Sequence, residues 1–359
     1  MGIKLQSVGS SDFDRGSVGG LPPESIIFGQ SEAMQVVHER VEKVACANVP
    51  VLIRGESGTG KEVLARLVHS RSPWGDGPFV KVSCPAIPGT LLESELFGYE
   101  RGAFTGAFGT KPGRVELANR GTLFLDEIAE LDPSLQAKLL QLLQDGQFCR
   151  IGAQEDKRVD VRIVCATNRE LEREIKAGSF RQDLFYRINV VTLQLAPLRE
   201  RSADIPALAD YFLDYYSQKY NISARPLSAG ALRMMQEYNW PGNVRELENL
   251  IKRYVILGSE EAVTSDLLAR EGSRSVEEMV GHGPFSLKVA TRQAVRELER
   301  TIILKMLREN NWNRKQTARS LKISYRALLY KIKEAGLPPK RLPVAAPTAP
   351  RSHDPIDRG

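Results

Sequence analysis

Val51-Leu52-Ile53-Arg54-Gly55-Glu56-Ser57-Gly58-Thr59-Gly60-Lys61-Glu62 is a short apolar run that breaks into a glycine-rich turn and then into a helical pattern, Val63 to Val68. Glycines at 55, 58 and 60 let the backbone curl until several N–H groups point inward. The start of the following helix adds a favourable dipole, so Gly55 to Glu62 is a candidate cradle for phosphate oxygens. Lys61 then reaches the outer phosphates as a compact positive charge. One residue departs from the general pattern. Ser or Thr usually follows the lysine and holds magnesium through its hydroxyl, whereas Glu62 stands here, so the metal must be held differently.

Outward from this turn, apolar runs at Val51 to Ile53, Phe79 to Val82, Gly121 to Leu125 and Val161 to Ala166 alternate with helical patterns. That alternation predicts a parallel sheet with helices on both faces. The third run, Gly121-Thr122-Leu123-Phe124-Leu125, ends in Asp126 and Glu127. Apolar strands seldom finish in adjacent acids without purpose, because buried unpaired charge is costly. Asp126 is the candidate magnesium holder, and Glu127 the residue that orients and polarises an attacking water. From about Asp204 to Leu257 the pattern is helical only, which predicts a small helical subdomain beside the sheet.

Composition limits the classes available. The chain has 359 residues, 42% hydrophobic and 26% charged, enough for two or three folded units. The net charge of +6 is unevenly spread: Phe285 to Gly336 holds 13 Lys and Arg against 4 Glu, while residues 1–284 are net acidic. One basic end on an otherwise acidic chain is the asymmetry of a single nucleic-acid-binding module. Cys46, Cys84, Cys149 and Cys165 show no metal or disulfide spacing. With no signal-like start and no run near the roughly 20 apolar residues of a membrane span, a cytoplasmic protein without membrane contact is expected.

Beyond the acidic strand the motif order becomes specific. Ala166-Thr167-Asn168-Arg169 closes a further strand, Phe180-Arg181 leads to Tyr186-Arg187, and Trp240-Pro241-Gly242-Asn243-Val244-Arg245-Glu246-Leu247 follows in the helical part. This series resembles the AAA+ P-loop ATPase core with its α-helical lid. The resemblance implies ATP and Mg2+ as cofactors, Asn168 as a polar sensor beside the γ-phosphate, and Arg245 as a nucleotide sensor on the lid. Arg181 and Arg187 would be arginine fingers given to a neighbouring subunit. A finger supplied in trans makes the active site a property of an assembled ring.

Between the two ATP motifs lies Gly102-Ala103-Phe104-Thr105-Gly106-Ala107. Its match to the signature loop of the bacterial enhancer-binding proteins, the NtrC-like activators of sigma-54 RNA polymerase, would arise by chance in about 10⁻⁵ of chains this long. Small residues around one aromatic and one hydroxyl make a flexible loop with an exposed Phe104, suited to gripping a partner. Two features depart from the family. Ser83 stands where an Asn commonly restrains the catalytic glutamate, which puts its coupling to the loop in question. The roughly 24 residues before the ATPase are too few for a receiver domain.

Near the basic end, Asn313 to Leu321 and Ser324 to Gly336 read as helix, tight turn, helix, with Ser324 as N-cap and Gly336 as stop. Ala318, Leu321, Ile323, Leu328 and Ile332 form the apolar face. Arg314, Ser324, Tyr325, Arg326, Tyr330, Lys331 and Lys333 are the candidate DNA-contacting residues. The segment resembles a Fis-like helix-turn-helix, with Lys322 at a turn position often held by Gly. The expected organisation is a flexible lead over 1–24, the α/β ATPase subdomain over 25–200, the lid over 201–258 and a linker over 259–286. The all-α DNA-binding domain follows over 287–337 and a proline-rich tail over 338–359. The function implied is a sigma-54-dependent activator that binds upstream double-stranded DNA as a dimer and assembles into a hexamer-like ring. It would spend ATP to open the closed polymerase–promoter complex. An AAA+ chaperone or helicase loader, and a DNA-binding regulator with a vestigial ATPase, are the alternatives.

Overall fold

Five strands make the central sheet, lying side by side in the order Phe79–Ser83, Gly121–Asp126, Val161–Thr167, Val51–Arg54 and Val191–Gln194, all neighbours parallel. The computed structural model describes residues 20–87, 89–260, 264, 265, 267, 303, 306, 307, 310 and 312–334. In chain order the first elements are α1 (Glu24–Phe28), α2 (Glu32–Ala45), β1 (Val51–Arg54), α3 (Lys61–Ser70), β2 (Phe79–Ser83) and α4 (Gly89–Phe97). Next come β3 (Gly98–Tyr99), β4 (Lys111–Pro112), α5 (Arg114–Leu117), β5 (Gly121–Asp126), α6 (Pro133–Asp145), β6 (Gln147–Cys149) and β7 (Asp156–Arg158). The ATPase part closes with β8 (Val161–Thr167), α7 (Leu171–Lys176), α8 (Gln182–Ile188) and β9 (Val191–Gln194). Four of the sheet strands lie on the runs picked out by apolar pattern; β9 is an additional edge strand.

Because strand side chains alternate, the buried strand β5 feeds two cores. Leu123 and Leu125 join the cluster with Leu96, Phe97, Leu135, Leu139 and Leu184, while Phe124 points into the other, with Val41, Ile53, Leu64 and Val68. Parallel register places Ser83 beside Asp126, Asp126 beside Ala166, and Arg54 beside Thr167. The strand ends that carry chemistry therefore share one edge, the edge at which open α/β sheets bind ligands. A buried arginine secures the outer layer: Arg162 on β8 donates to the carbonyls of Ala45 (2.6 Å) and Val44 (2.8 Å), satisfying the C-terminus of α2.

The lid consists of α9 (Ile205–Tyr220), α10 (Ala229–Glu237) and α11 (Asn243–Leu257). Its core gathers Leu208, Phe212, Met235, Leu247 and Ile251 around the buried Trp240, whose indole N–H donates to the Met235 carbonyl at 2.7 Å. Asp204 ties lid to sheet. Its carboxylate accepts from the Gln30 and Ser31 N–H groups (2.7 and 3.1 Å) and from the Ser31 hydroxyl (2.8 Å) at the start of α2.

Residues 1–270 form one compact unit and 271–359 another. In the second, α12 (Arg314–Ser320) and α13 (Tyr325–Glu334) pack through Ala318, Leu328 and Ile332 together with Ile303 and Leu307. Ser324 accepts the Ala327 N–H at 3.1 Å, and Lys322 adopts a φ of +51° in the intervening turn. The expected lead over 1–24, linker over 259–286 and proline-rich tail over 338–359 lie wholly or mostly outside the described residues.

Candidate nucleotide site and partner loop

The turn after β1 is shaped by what surrounds it. A Cβ on Gly58 would collide with the Gly242 carbonyl of the lid, and one on Gly55 would press on Leu195 and Thr59; Gly60, at φ +101°, faces open space. Thr59 closes the turn by donating its hydroxyl to the Glu56 carbonyl (2.8 Å). Lys61, only 7% exposed, donates to the Gly55 carbonyl (2.9 Å) and pairs with Glu127 Oε1 (3.1 Å). The second Glu127 oxygen accepts the Asn168 N–H at 2.9 Å. Lys61, Glu127 and Asn168 thus come together from three elements. Glu127 sits at φ +55°, in left-handed space that a non-glycine residue occupies at a cost.

Asp126 lies at the adjoining strand end. Burial raises its carboxyl above the ordinary value, opposed by the Lys81 ammonium 4.0 Å away. Glu62 is engaged elsewhere: burial pushes its carboxyl up, but Lys81 (2.6 Å) and Arg66 (3.0 Å) outweigh that and hold it below the usual range. Among the described residues no group of three or more His, Cys, Asp or Glu could cage a metal ion. A Mg2+ ion that keeps most of its waters would need only one or two carboxylates beside substrate phosphates, and Asp126 stands at the strand end where one could serve.

The lid meets the same turn through contacts that local sequence does not reveal. Glu56 accepts two hydrogen bonds from Arg199 (2.6 and 2.9 Å) and one from Asn243 (3.1 Å). Asn243 also donates to the Ser57 carbonyl (3.0 Å) and accepts from the Leu198 N–H (2.8 Å), while buried Arg201 donates to the Thr59 carbonyl (3.0 Å). Arg245 donates to the Ser57 hydroxyl at 3.2 Å. A cavity of about 570 Å3 opens beside Ser57 and Arg245, lined also by Asn249 and Arg253. Arg199, Arg201, Asn243 and Lys81 were not legible as site residues; only Trp240 to Leu247, as a motif, pointed at this corner.

Arg181 and Arg187 stand on α8 and its N-cap. Arg181 makes a paired contact with Asp183 (3.0 and 2.7 Å), and Arg187 donates to the Leu143 carbonyl (3.0 Å). Among the described residues, no hydrogen bond or ion pair joins either arginine to Lys61, Asp126 or Glu127.

The hexapeptide Gly102 to Ala107 caps the two-stranded ribbon β3–β4. Gly102 donates to the Ala107 carbonyl (2.9 Å) and Ala103 to Glu100 (3.1 Å); Ala107 itself is buried. The neck is tied to the β6–β7 hairpin by Glu100 N–H to Ile151 O and Ile151 N–H to Gly98 O, each 3.0 Å. Arg150 adds two 2.6 Å contacts to Glu116 and one of 2.8 Å to Glu100. Since β7 leads into β8, the loop's neck and Asn168 are linked through the same short piece of chain. At the basic end, Ser324, Tyr325, Arg326 and Tyr330 are exposed and Arg314 and Lys331 half-buried; Lys333 lies on α13, its side chain outside the described residues.

A P-loop at a five-stranded parallel sheet, an acidic strand end and a helical lid latched to the phosphate turn define the AAA+ class of ATPase. The comparisons carry the assignment further. Residues 27–194 match the sigma-54 interaction domain, 199–280 the AAA+ ATPase lid domain and 294–334 the bacterial regulatory proteins of the Fis family. The chain is 44% identical over 318 residues to the regulatory protein AtoC of Escherichia coli K12, covering 87% of this chain and 68% of AtoC. It is 43% identical over 311 residues to the Nif-specific regulatory protein of Azotobacter vinelandii, covering 86% of this chain but only 58% of that protein. The crystal structure of NtrX from Brucella abortus superposes with a TM-score of 0.63 at 34% identity, covering 88% of this chain and 70% of NtrX. The chain belongs to the family of sigma-54-dependent transcriptional activators.

No helix among the described residues is long and apolar enough to cross a membrane.

Proposed function

We propose that the chain binds double-stranded DNA upstream of a promoter through α12 and α13, hydrolyses ATP in a ring of its own copies, and uses the Gly102 to Ala107 loop to remodel a closed sigma-54 polymerase complex into an open one. The observation that carries this reading is the loop's attachment. The small-residue tip rises from a neck pinned to the β6–β7 hairpin, and that hairpin runs directly into the strand ending at Asn168.

In this reading the turn from Gly55 to Glu62 binds the phosphates, and Lys61 leaves Glu127 for the outer phosphate oxygens. Glu127, freed on one oxygen but still held by the Asn168 N–H, turns to orient the attacking water. Mg2+, when bound, neutralises phosphate charge, with Asp126 as its protein ligand. Arg245 and the Glu56 latch report the nucleotide to the lid, and Arg181 and Arg187 reach the next copy's γ-phosphate. With the fingers supplied by the neighbouring copy, turnover belongs to the assembly, a dimer on DNA growing to a hexamer-like ring.

The test is a pair of variants. Thr105→Ala is expected to hydrolyse ATP at the unaltered rate but to give no open complexes with sigma-54 polymerase, and Lys61→Ala to lose both. Full activation by Thr105→Ala would remove the loop from the mechanism.

A further inference from the structure

Two phenyl rings sit at the loop tip, and they are held differently. Phe104, inside the hexapeptide, rests edge-on against Tyr99 with centroids 5.0 Å apart and is 42% exposed. Phe108, one residue beyond the hexapeptide, is 90% exposed, the most open large hydrophobic side chain among the described residues. Its N–H donates to the Gly106 carbonyl at 2.9 Å, a three-residue turn that faces the ring away from the body. At Gly106 and at Gly109 no heavy atom lies within 4 Å of where a Cβ would stand. Packing does not demand these glycines; backbone freedom around Phe108 is what they provide. The neck below is fixed, with the Thr110 hydroxyl donating to Glu100 Oε2 at 2.7 Å.

A lone surface hydrophobe needs no explanation, but this one extends the partner loop, on a swivel above an anchored neck. We propose that Phe108 is the leading anchor of that loop, entering an apolar pocket on sigma-54 polymerase before Phe104 leaves Tyr99. This rests on the reading of Gly102 to Ala107 as the polymerase-contacting loop. Exposed Arg101 flanks the tip, while Lys111 at the neck is already paired with Glu95 at 2.5 Å. Loops of neighbouring copies would bring their Arg101 charges together, whereas a partner pocket rimmed by carboxylates complements that charge. Aromatic side chains are also the residues that most often carry binding energy at such contacts.

The experiment uses the full chain with ADP and aluminium fluoride as the trapped nucleotide state and purified sigma-54 holoenzyme as the probe. Phe108→Ser is expected to weaken capture of the holoenzyme by about tenfold or more, with ATP turnover and assembly unchanged. A photo-crosslinker at position 108 is expected to label a holoenzyme subunit. If Phe108→Ser binds normally while Thr105→Ala does not, the anchor is overturned and the loop reading stands. If Thr105→Ala also binds and activates normally, both fall together. Labelling confined to other copies of the chain, or loss of ATP turnover in Phe108→Ser, would place Phe108 at the ring interface and overturn the proposal.

Discussion

The phosphate turn and the hexapeptide loop are both built on glycine, for opposite reasons. At 55 and 58 a side chain would strike Leu195 or the Gly242 carbonyl, so the turn is clamped between sheet and lid. At 102 and 106, with φ of +83° and +106°, nothing stands within 4 Å. At 55 and 58 the first loop is glycine because the space is full; at 102 and 106 the second is glycine because the backbone takes a left-handed turn with nothing packed against it. In the proposed function this divides the work: a pre-organised site senses the phosphate, and a loop pinned only at its neck delivers the movement.

Four substitutions sharpen or break that contrast. Lys61→Ala, at the clamped end, is expected to cut ATP turnover by about 10²–10³-fold, the usual cost of removing one charge-stabilising group; a steady-state ATPase assay showing less than tenfold loss would refute its role. Gly58→Ala should lower unfolding stability by about 2–3 kcal/mol, because the new methyl meets a backbone carbonyl and the φ of +78° is strained. Urea titration of the two proteins checks this, and an unshifted midpoint would mean that the lid does not press on the turn.

Glu56→Gln should cost about 1 kcal/mol or less, since both partners of the Arg199 pair are partly exposed and screened. The hydrogen bonds from Arg199 lead the causes that hold the Glu56 carboxyl below its ordinary value, with burial opposing them. Its contribution is therefore present above the unfolded-state value and disappears as pH falls through the lower folded-state value. Stability curves of Glu56→Gln and the unaltered protein should converge in acid, below the ordinary carboxylate range, and a gap that persists there would count against the pair. The smallest effect belongs to the open loop: Gly102→Ala should change stability by no more than about 1 kcal/mol, the strain of its positive φ alone. Thermal unfolding reads it directly, and a loss as large as that for Gly58→Ala would erase the distinction.

How much could be read from the chain follows the distance over which each feature is made. Lys61, Asp126 and Glu127 are legible because each sits beside its own strand, and the sheet class followed from four apolar runs. Strand β9, Val191 to Gln194, escaped notice as a four-residue, half-exposed edge strand. The two-residue strands β3 and β4 are too short to show any period. The Glu56 contacts join residues 143 and 187 positions apart, and neither Arg199 nor Asn243 carries a local mark of it. Lys81 reaches Glu62 and Asp126 only because β2 and β5 run side by side in register. At the basic end the Ser324 cap and the apolar face were legible, since a helix pair keeps its partners close in the chain.

Asp204 carries a consequence for how the molecule comes into being. The carboxylate that completes the start of α2 is supplied about 170 residues later, and it fills the space beside Gly29 where no side chain could fit. A chain emerging from the ribosome must hold α2 without that partner until the beginning of the lid has been translated. β1 waits in the same way for β8 and β9. Helix α2 is thus among the last parts of the ATPase unit to settle, and a ribosome paused before residue 204 would leave the sheet's strands made but the start of α2 still unfastened.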